Sequence, residues 1–138
     1  MKTALIDSSF LYALYSSKDD SHAATMRIAS DPQMIGVVPE VILPEVTFLF
    51  LREGGVKAVV EFLDQFAAAN MSLQSINRTD IHRAKNIMAT YLDARLDFVD
   101  CVIMALSERM NIDTVCTLDR RDFSIFRPVH CDYLSLLP

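Results

Sequence analysis

Thr3-Ala4-Leu5-Ile6-Asp7-Ser8-Ser9 reads as a short buried strand that ends in an acid and a polar turn. A carboxylate is costly to bury unpaired, so an acid set directly after an apolar strand asks for a purpose. Outward from this stretch the chain alternates strand-like and helix-like segments, the pattern of an α/β fold with a mostly parallel sheet. Residues 10–15 form a first helix. Asp20-Ser21 caps a second, carrying Ala23, Ala24, Met26 and Ile28 and stopped by Asp31-Pro32. Residues 34–38 make a second strand. Pro39 and Pro44 bracket the start of a third helix, with Glu45, Phe48, Leu49 and Arg52 on or near one side and Gly54-Gly55 at its end. Residues 56–69 make another, with Val59, Val60, Leu63 and Phe66 at helical period. Residues 71–76 fit a third strand, Thr79 caps a helix over 80–92, and Asp97 caps a strongly apolar helix over 98–110. Residues 115–118 are a fourth strand ending at Asp119, 120–123 a turn or short helix, and 133–136 a last edge strand.

The length of 138 residues favours one domain with a real core, and a hydrophobic fraction of 51% argues against disorder. No apolar run approaches the ~20 residues that span a bilayer. The chain runs from Lys2 straight into the first strand and its acid, which is not the pattern of a secretory signal. Cys101, Cys116 and Cys131 have neither zinc-site spacing nor an even count, so reduced thiols and a cytoplasmic location are expected. His22, His82 and His130 are scattered, with His22 and His82 expected on helix surfaces. The net charge of −5 is the wrong sign for a passive nucleic-acid binder. It leaves room for an enzyme that places divalent cations between its own acids and a substrate's phosphates.

In an open parallel sheet, ligands bind beyond the carboxyl ends of the strands. Asp7 follows the first strand and Asp119 the fourth, so the two can share one site. Glu45 lies just inside a helix start, and Asp97 and Asp100, three apart, can face one way at the start of another. Crowded carboxylates repel and raise one another's pKa, and such a cluster persists where a cation neutralises it. Oxygen-only ligands select hard cations such as Mg²⁺ or Mn²⁺. The chemistry best supported is cation-activated water attacking a phosphodiester. Each acid also fits a plain role: Asp97 and Asp100 as a helix cap and its dipole partner, Glu45 likewise, Asp119 as a turn residue. Their joint placement is what points to a site.

These residues resemble the motifs of the PIN-domain family. Leu5-Ile6-Asp7-Ser8-Ser9 is similar to its first motif and Leu43-Pro44-Glu45-Val46 to its second. Leu96-Asp97-Phe98-Val99-Asp100-Cys101, continuing through Ala105-Leu106-Ser107-Glu108-Arg109, resembles the third, and Thr117-Leu118-Asp119-Arg120-Arg121-Asp122-Phe123 the fourth. Asp20-Ser21-His22-Ala23-Ala24 is similar to a second-helix start common in the toxin branch called VapC. The resemblance implies a single PIN domain over 1–138, a Rossmann-like three-layer α/β/α sandwich, and an endoribonuclease dependent on Mg²⁺ or Mn²⁺. It makes Asp7, Glu45, Asp100 and Asp119 the catalytic and metal-holding acids, with Asp97 a fifth metal candidate. It gives Ser9 a supporting role at the metal and has Thr117 orient Asp119 from behind. It also implies an RNA substrate, a homodimer, and a cognate VapB-like antitoxin that inserts a C-terminal segment near the site and carries the DNA-binding part. Arg52, Arg95, Arg120 and Arg121 are the basic residues near the motifs, Arg120 and Arg121 being the foremost candidates for phosphate contact or, equally, a solvated turn.

Two other readings stay open. The acids can be the docking site of a partner's basic segment, with no turnover. The third, a phosphohydrolase for small phosphoesters, is disfavoured because Asp7-Ser8-Ser9 lacks a second Asp two residues on. Phe48, Phe50 and Leu51 are expected to pack inward, the other possibility being a dimer face.

Overall fold

β1 (Lys2–Ile6) is the middle strand of a five-stranded sheet in the computed structural model, which describes residues 1–69 and 71–138. β2 (Met34–Pro39) and then β3 (Ser72–Gln74) lie on one side of it, β4 (Thr114–Cys116) and then β5 (Ser135–Leu137) on the other. Every pairing is parallel, and Leu5 sits between Val37 and Val115. Parallel strands need crossover connections, which put helices against the sheet. Ala4, Leu5 and Ile6 are accordingly buried, and the run is continuously apolar.

The connecting helices are α1 (Ser8–Tyr15), α2 (His22–Ala29), α3 (Leu43–Ala68), α4 (Arg78–Thr90), α5 (Phe98–Arg109) and α6 (Arg121–Ile125). They flank the sheet, with α1 packed on α2 and α3, and α4 on α5. α5 is buried without a break from Asp100 to Ser107, as expected of a helix apolar all round. Two ion pairs bind α4 to α5: Arg83 with Glu108, and Arg109 with the buried Asp80. Among the described residues no helix is long and apolar enough to cross a membrane.

The expected α/β/α architecture and the strand series hold. A 3₁₀ turn (Glu40–Ile42) precedes α3, and the break expected at Gly54-Gly55 is present as two non-helical residues inside it. Gly55, at φ 73°, ψ −167°, occupies backbone space that essentially only glycine enters. Two details differ. α4 is capped by Asn77, not Thr79: Asn77 and Asp80 exchange side-chain and backbone bonds in a capping box, and Thr79 merely donates to Asn77. Beyond the glycines the inward face of α3 is set by Phe62, with Val59 and Phe66, while Val60 and Leu63 point out. Of the three apolar residues expected inside, only Phe50 is buried; Phe48 and Leu51 are exposed. Cys101 and Cys116 are buried free thiols, and burial pushes each up to about 12. His82 is exposed as expected, whereas half-buried His22 ties α2 to α1 through Nδ1 and Ala13 O, 2.8 Å apart.

Candidate active site

The strand order changes direction between β1 and β4, so the crevice beyond their carboxyl ends is the switch point where α/β sheets place ligands. Asp7 leaves β1 there. Its backbone turns into α1, and its Oδ1 accepts the Ser8 amide at 2.7 Å as the helix cap. Although 3% exposed, Asp7 has further partners. Thr117 Oγ1 donates to Asp7 Oδ2 at 2.7 Å, and Ser9 Oγ stands 3.3 Å from that same oxygen. Burial nevertheless dominates: the Asp7 carboxyl is held above its ordinary range, against the pull of Thr117, Ser8 and Ser9, with Asp119's charge adding to the rise.

Thr117, one residue beyond β4, joins two acids. While donating to Asp7 it accepts the Asp119 amide at 3.0 Å, so its hydroxyl fixes the backbone at Asp119. Ser9 completes the link by accepting the Leu118 amide at 3.0 Å. Asp119 itself is exposed.

Glu45 reaches the same place from the first turn of α3 and accepts from Ser8 Oγ at 3.3 Å. It stands at the exposed rim, yet desolvation still raises its pKa, with the charges of Asp97 and Asp7 adding. Asp97 caps α5, its Oδ2 accepting the amides of Val99 and Asp100 at 3.1 and 3.3 Å. Asp100 is buried on that first turn. Burial, then the charge of Asp7, then a hydrogen bond with Asp122 and the charge of Asp97, push it up to about 9.

The five predicted acids therefore feel one another in a single region. Two residues that sequence reasoning passed over join them: Ser8, which bridges Asp7 and Glu45, and Asp122, a buried neighbour of Asp100. The arginines expected to meet phosphate are engaged with protein acceptors. Arg120 donates to Pro138 O at 2.5 Å, and Arg121 to Asp122 Oδ1 and Ala94 O, both at 2.7 Å.

The donor set suits a hard cation: every group is a carboxylate or hydroxyl oxygen, and burial, with neighbouring carboxylates adding to it, raises Asp7 and Asp100. Among the described residues no group of three or more His, Cys, Asp or Glu is arranged to hold a metal ion as the side chains stand. Mg²⁺ does not need such a cage, since it keeps several waters and is bound through one or two carboxylates plus substrate phosphates. Two clefts, of about 390 Å³ beside α1 and α3 and about 530 Å³ beside α1 and α2, are lined by none of these acids.

The family model of the PIN domain matches residues 4–127, which takes in every acid above. This chain belongs to the PIN-domain family. Among proteins similar to this PIN domain is the ribonuclease VapC26 of Mycobacterium tuberculosis, 28% identical over 134 residues that cover 97% of this chain and 99% of VapC26. The fold is that of VapC20 from Mycobacterium tuberculosis, a toxin that cleaves the sarcin–ricin loop: TM-score 0.78 and 22% identity over 94% of this chain and 98% of that one. It is also shared with a chain of VapBC2 from Rickettsia felis, solved on a promoter DNA fragment, at TM-score 0.70, 12% identity and coverage of 97% and 96%. A toxin–antitoxin complex from Klebsiella pneumoniae gives TM-score 0.65 and 20% identity over 95% and 98% of the two chains.

Proposed function

We propose that this PIN domain is an endoribonuclease dependent on Mg²⁺ or Mn²⁺, the toxin half of a cytoplasmic toxin–antitoxin pair. The observation that carries the reading is the Asp7–Thr117–Asp119 junction at the switch point of the sheet, with Asp100 buried beside it, in a chain similar throughout its length to a ribonuclease. Asp7 and Asp100 would hold the cation, with Glu45, Asp119 and Asp97 around it. Bound there, Mg²⁺ or Mn²⁺ would supply a positive charge that makes water more acidic and offsets charge on the phosphate and leaving oxygen.

The chain's own groups do the rest. Thr117 and Ser9 aim Asp7, and the Ser8 amide keeps one of its oxygens satisfied. Glu45, exposed and with its pKa raised, accepts the proton of the attacking water. The water oxygen bonds to phosphorus in line as the bond to the 3′ oxygen breaks, and the leaving oxygen takes a proton from solvent, giving 5′ phosphate and 3′ hydroxyl ends. Glu45, Asp97 and Asp119 are exposed at the carboxyl edge of the sheet, where a polymer can be laid across them.

The partners of this reading are RNA, a second copy of the chain and a VapB-like antitoxin. Phe48, Leu51, Val56 and Val60 give α3 an outward apolar surface for a partner to cover. The rival reading, a catalytically silent module whose acids dock a basic segment, draws on the net charge of −5 and on the bonds of Arg120 and Arg121 to the chain's own acceptors. Incubating the purified chain with RNA in Mg²⁺ or Mn²⁺ separates the two. Cleavage by the wild type that is lost in a folded Asp7→Asn variant supports the nuclease. Full activity in Asp7→Asn overturns the mechanism, and antitoxin binding without cleavage at any metal concentration supports the silent module.

A further inference from the structure

The corner that presents Asp97 and Asp100 is held from behind by α6. Arg121 Nη2 donates to Ala94 O and its Nη1 to Asp122 Oδ1, each at 2.7 Å. Asp122 Oδ2 accepts the Asp97 amide at 3.3 Å. Between these two attachment points lies Arg95, a non-glycine residue in the left-handed region at φ 54°, ψ 53°, a conformation that needs its surroundings to hold it. Leu96 then plugs into the core, and Asp97 caps α5 by accepting the Val99 and Asp100 amides. The path from α6 to the site is therefore continuous: Arg121 fixes the turn on one side of Arg95, Asp122 fixes it on the other, and the first turn of α5 starts where they leave it.

We propose that Arg121 and Asp122 form a positioning pair that sets Asp97 and Asp100, and that Arg121, although its side chain is 60% exposed, serves the chain's own acceptors instead of gripping a phosphate. This rests on the nuclease reading of the same site. The guanidinium is suited to the task because its planar fork donates along two fixed directions at once, one to a carbonyl and one to a carboxylate. Asp122 needs its charge to hold Arg121 and an oxygen to hold Asp97. Its 7% exposure separates it from Asp119, the outward-facing acid of the same segment.

The test compares wild type with Arg121→Ala, Arg121→Lys and Asp122→Asn, each first shown to be folded by circular dichroism. Three readouts are taken: Mn²⁺ affinity by calorimetry in the absence of RNA, kcat and KM for RNA cleavage, and the dependence of RNA affinity on salt. A supporting residue lost behind a metal site costs about tenfold or more in metal affinity or activity. Arg121→Ala and Asp122→Asn are therefore expected to weaken Mn²⁺ binding and lower kcat by about that factor, with KM and the salt slope unchanged. Arg121→Lys, which cannot serve both acceptors, falls between. The opposite pattern overturns the proposal: unchanged Mn²⁺ affinity and kcat, raised KM, and a salt slope reduced by about 0.7, the signature of one lost phosphate contact on a single strand. If Arg121→Ala does not fold, Arg121→Lys and Asp122→Asn decide by the same criteria. A wild type that binds Mn²⁺ but cuts no RNA sinks the nuclease reading alone, and the Mn²⁺ titrations of the variants still judge the pair. A wild type that binds no Mn²⁺ overturns both.

Discussion

Thr117 Oγ1 donates to Asp7 Oδ2 at 2.7 Å, joining residues 110 positions apart and tying the end of β1 to the end of β4. One hydroxyl thus orients the most buried acid of the site and, through the Asp119 amide, an exposed one. Removing the donor while keeping the shape isolates its worth. Thr117→Val is expected to lose about 1–3 kcal/mol in urea denaturation at pH 7, the cost of leaving buried polar groups unsatisfied. RNA cleavage should fall about tenfold or more. Thr117→Ser should restore both. Wild-type stability and activity in Thr117→Val would show that the bond matters to neither.

The acids leave a mark on stability that needs no substrate. Asp100, at about 9 in the folded chain against an ordinary carboxylate value of 3.8, binds its proton more tightly when folded. Its contribution is therefore fully present below about pH 4 and is lost as pH rises through about 9; Asp7, also raised, acts in the same direction. Denaturation in a chelator across this range should show stability declining with pH, and Asp100→Asn should flatten the decline. Millimolar Mg²⁺ should flatten it too, by favouring the ionised acids. A chelated wild type that gains stability steadily up to pH 8 would contradict the shared burial of these carboxylates.

Gly55 governs how the half of α3 that carries Glu45 meets the half that carries Phe62. At φ 73°, ψ −167° a side chain is strained even though a Cβ there meets nothing within 4 Å. Gly55→Ala should cost about 1–3 kcal/mol, the range for backbone held in such space. Gly54, at φ −149°, carries no such backbone penalty, although a Cβ there would come 3.0 Å from that of Ala58. Thermal melts of the two variants compare them directly, and an equal or larger loss at Gly54 would refute the assignment.

Thiol reactivity reads the core independently. Cys101 and Cys116 are buried and held near 12, whereas Cys131 is half-buried. A colourless-to-coloured disulfide reagent should titrate one thiol in the native protein and three after unfolding, because thiolate and access are both required. Two fast thiols in the native state would mean that α5 or β4 is not packed as described.

The geometry of the candidate site was legible in the sequence wherever chain order and sheet topology work together. Asp7 and Asp119 each follow an apolar strand, and a parallel sheet puts strand ends on one edge, so their meeting followed from the pattern. Asp97 was legible as a cap, and as such it also sets Asp100. What stayed hidden depends on contacts far along the chain. Asp122 sits in Asp119-Arg120-Arg121-Asp122, which looks like a solvated charged turn, yet its partner Asp97 lies 25 residues earlier. The phase of the second half of α3 was hidden for another reason: the break at Gly54-Gly55 resets it, and Val60 and Leu63 keep helical period as well as Phe62 does. At the start of α4, Asn77 and Thr79 are both good caps, and only the reciprocal bond with Asp80 decides between them.

If the carboxylates form one cation-dependent catalytic site, cation binding and RNA cleavage depend on the same side chains. Mn²⁺ and Mg²⁺ are titrated by calorimetry into wild type and the Asp7→Asn/Asp100→Asn double variant, and RNA cleavage is assayed on the same samples. Wild type is expected to bind cation and cut RNA while the double variant, still folded, does neither. A wild type that binds no cation and cuts nothing at millimolar Mn²⁺ would contradict a catalytic site and leave the acids as a docking site.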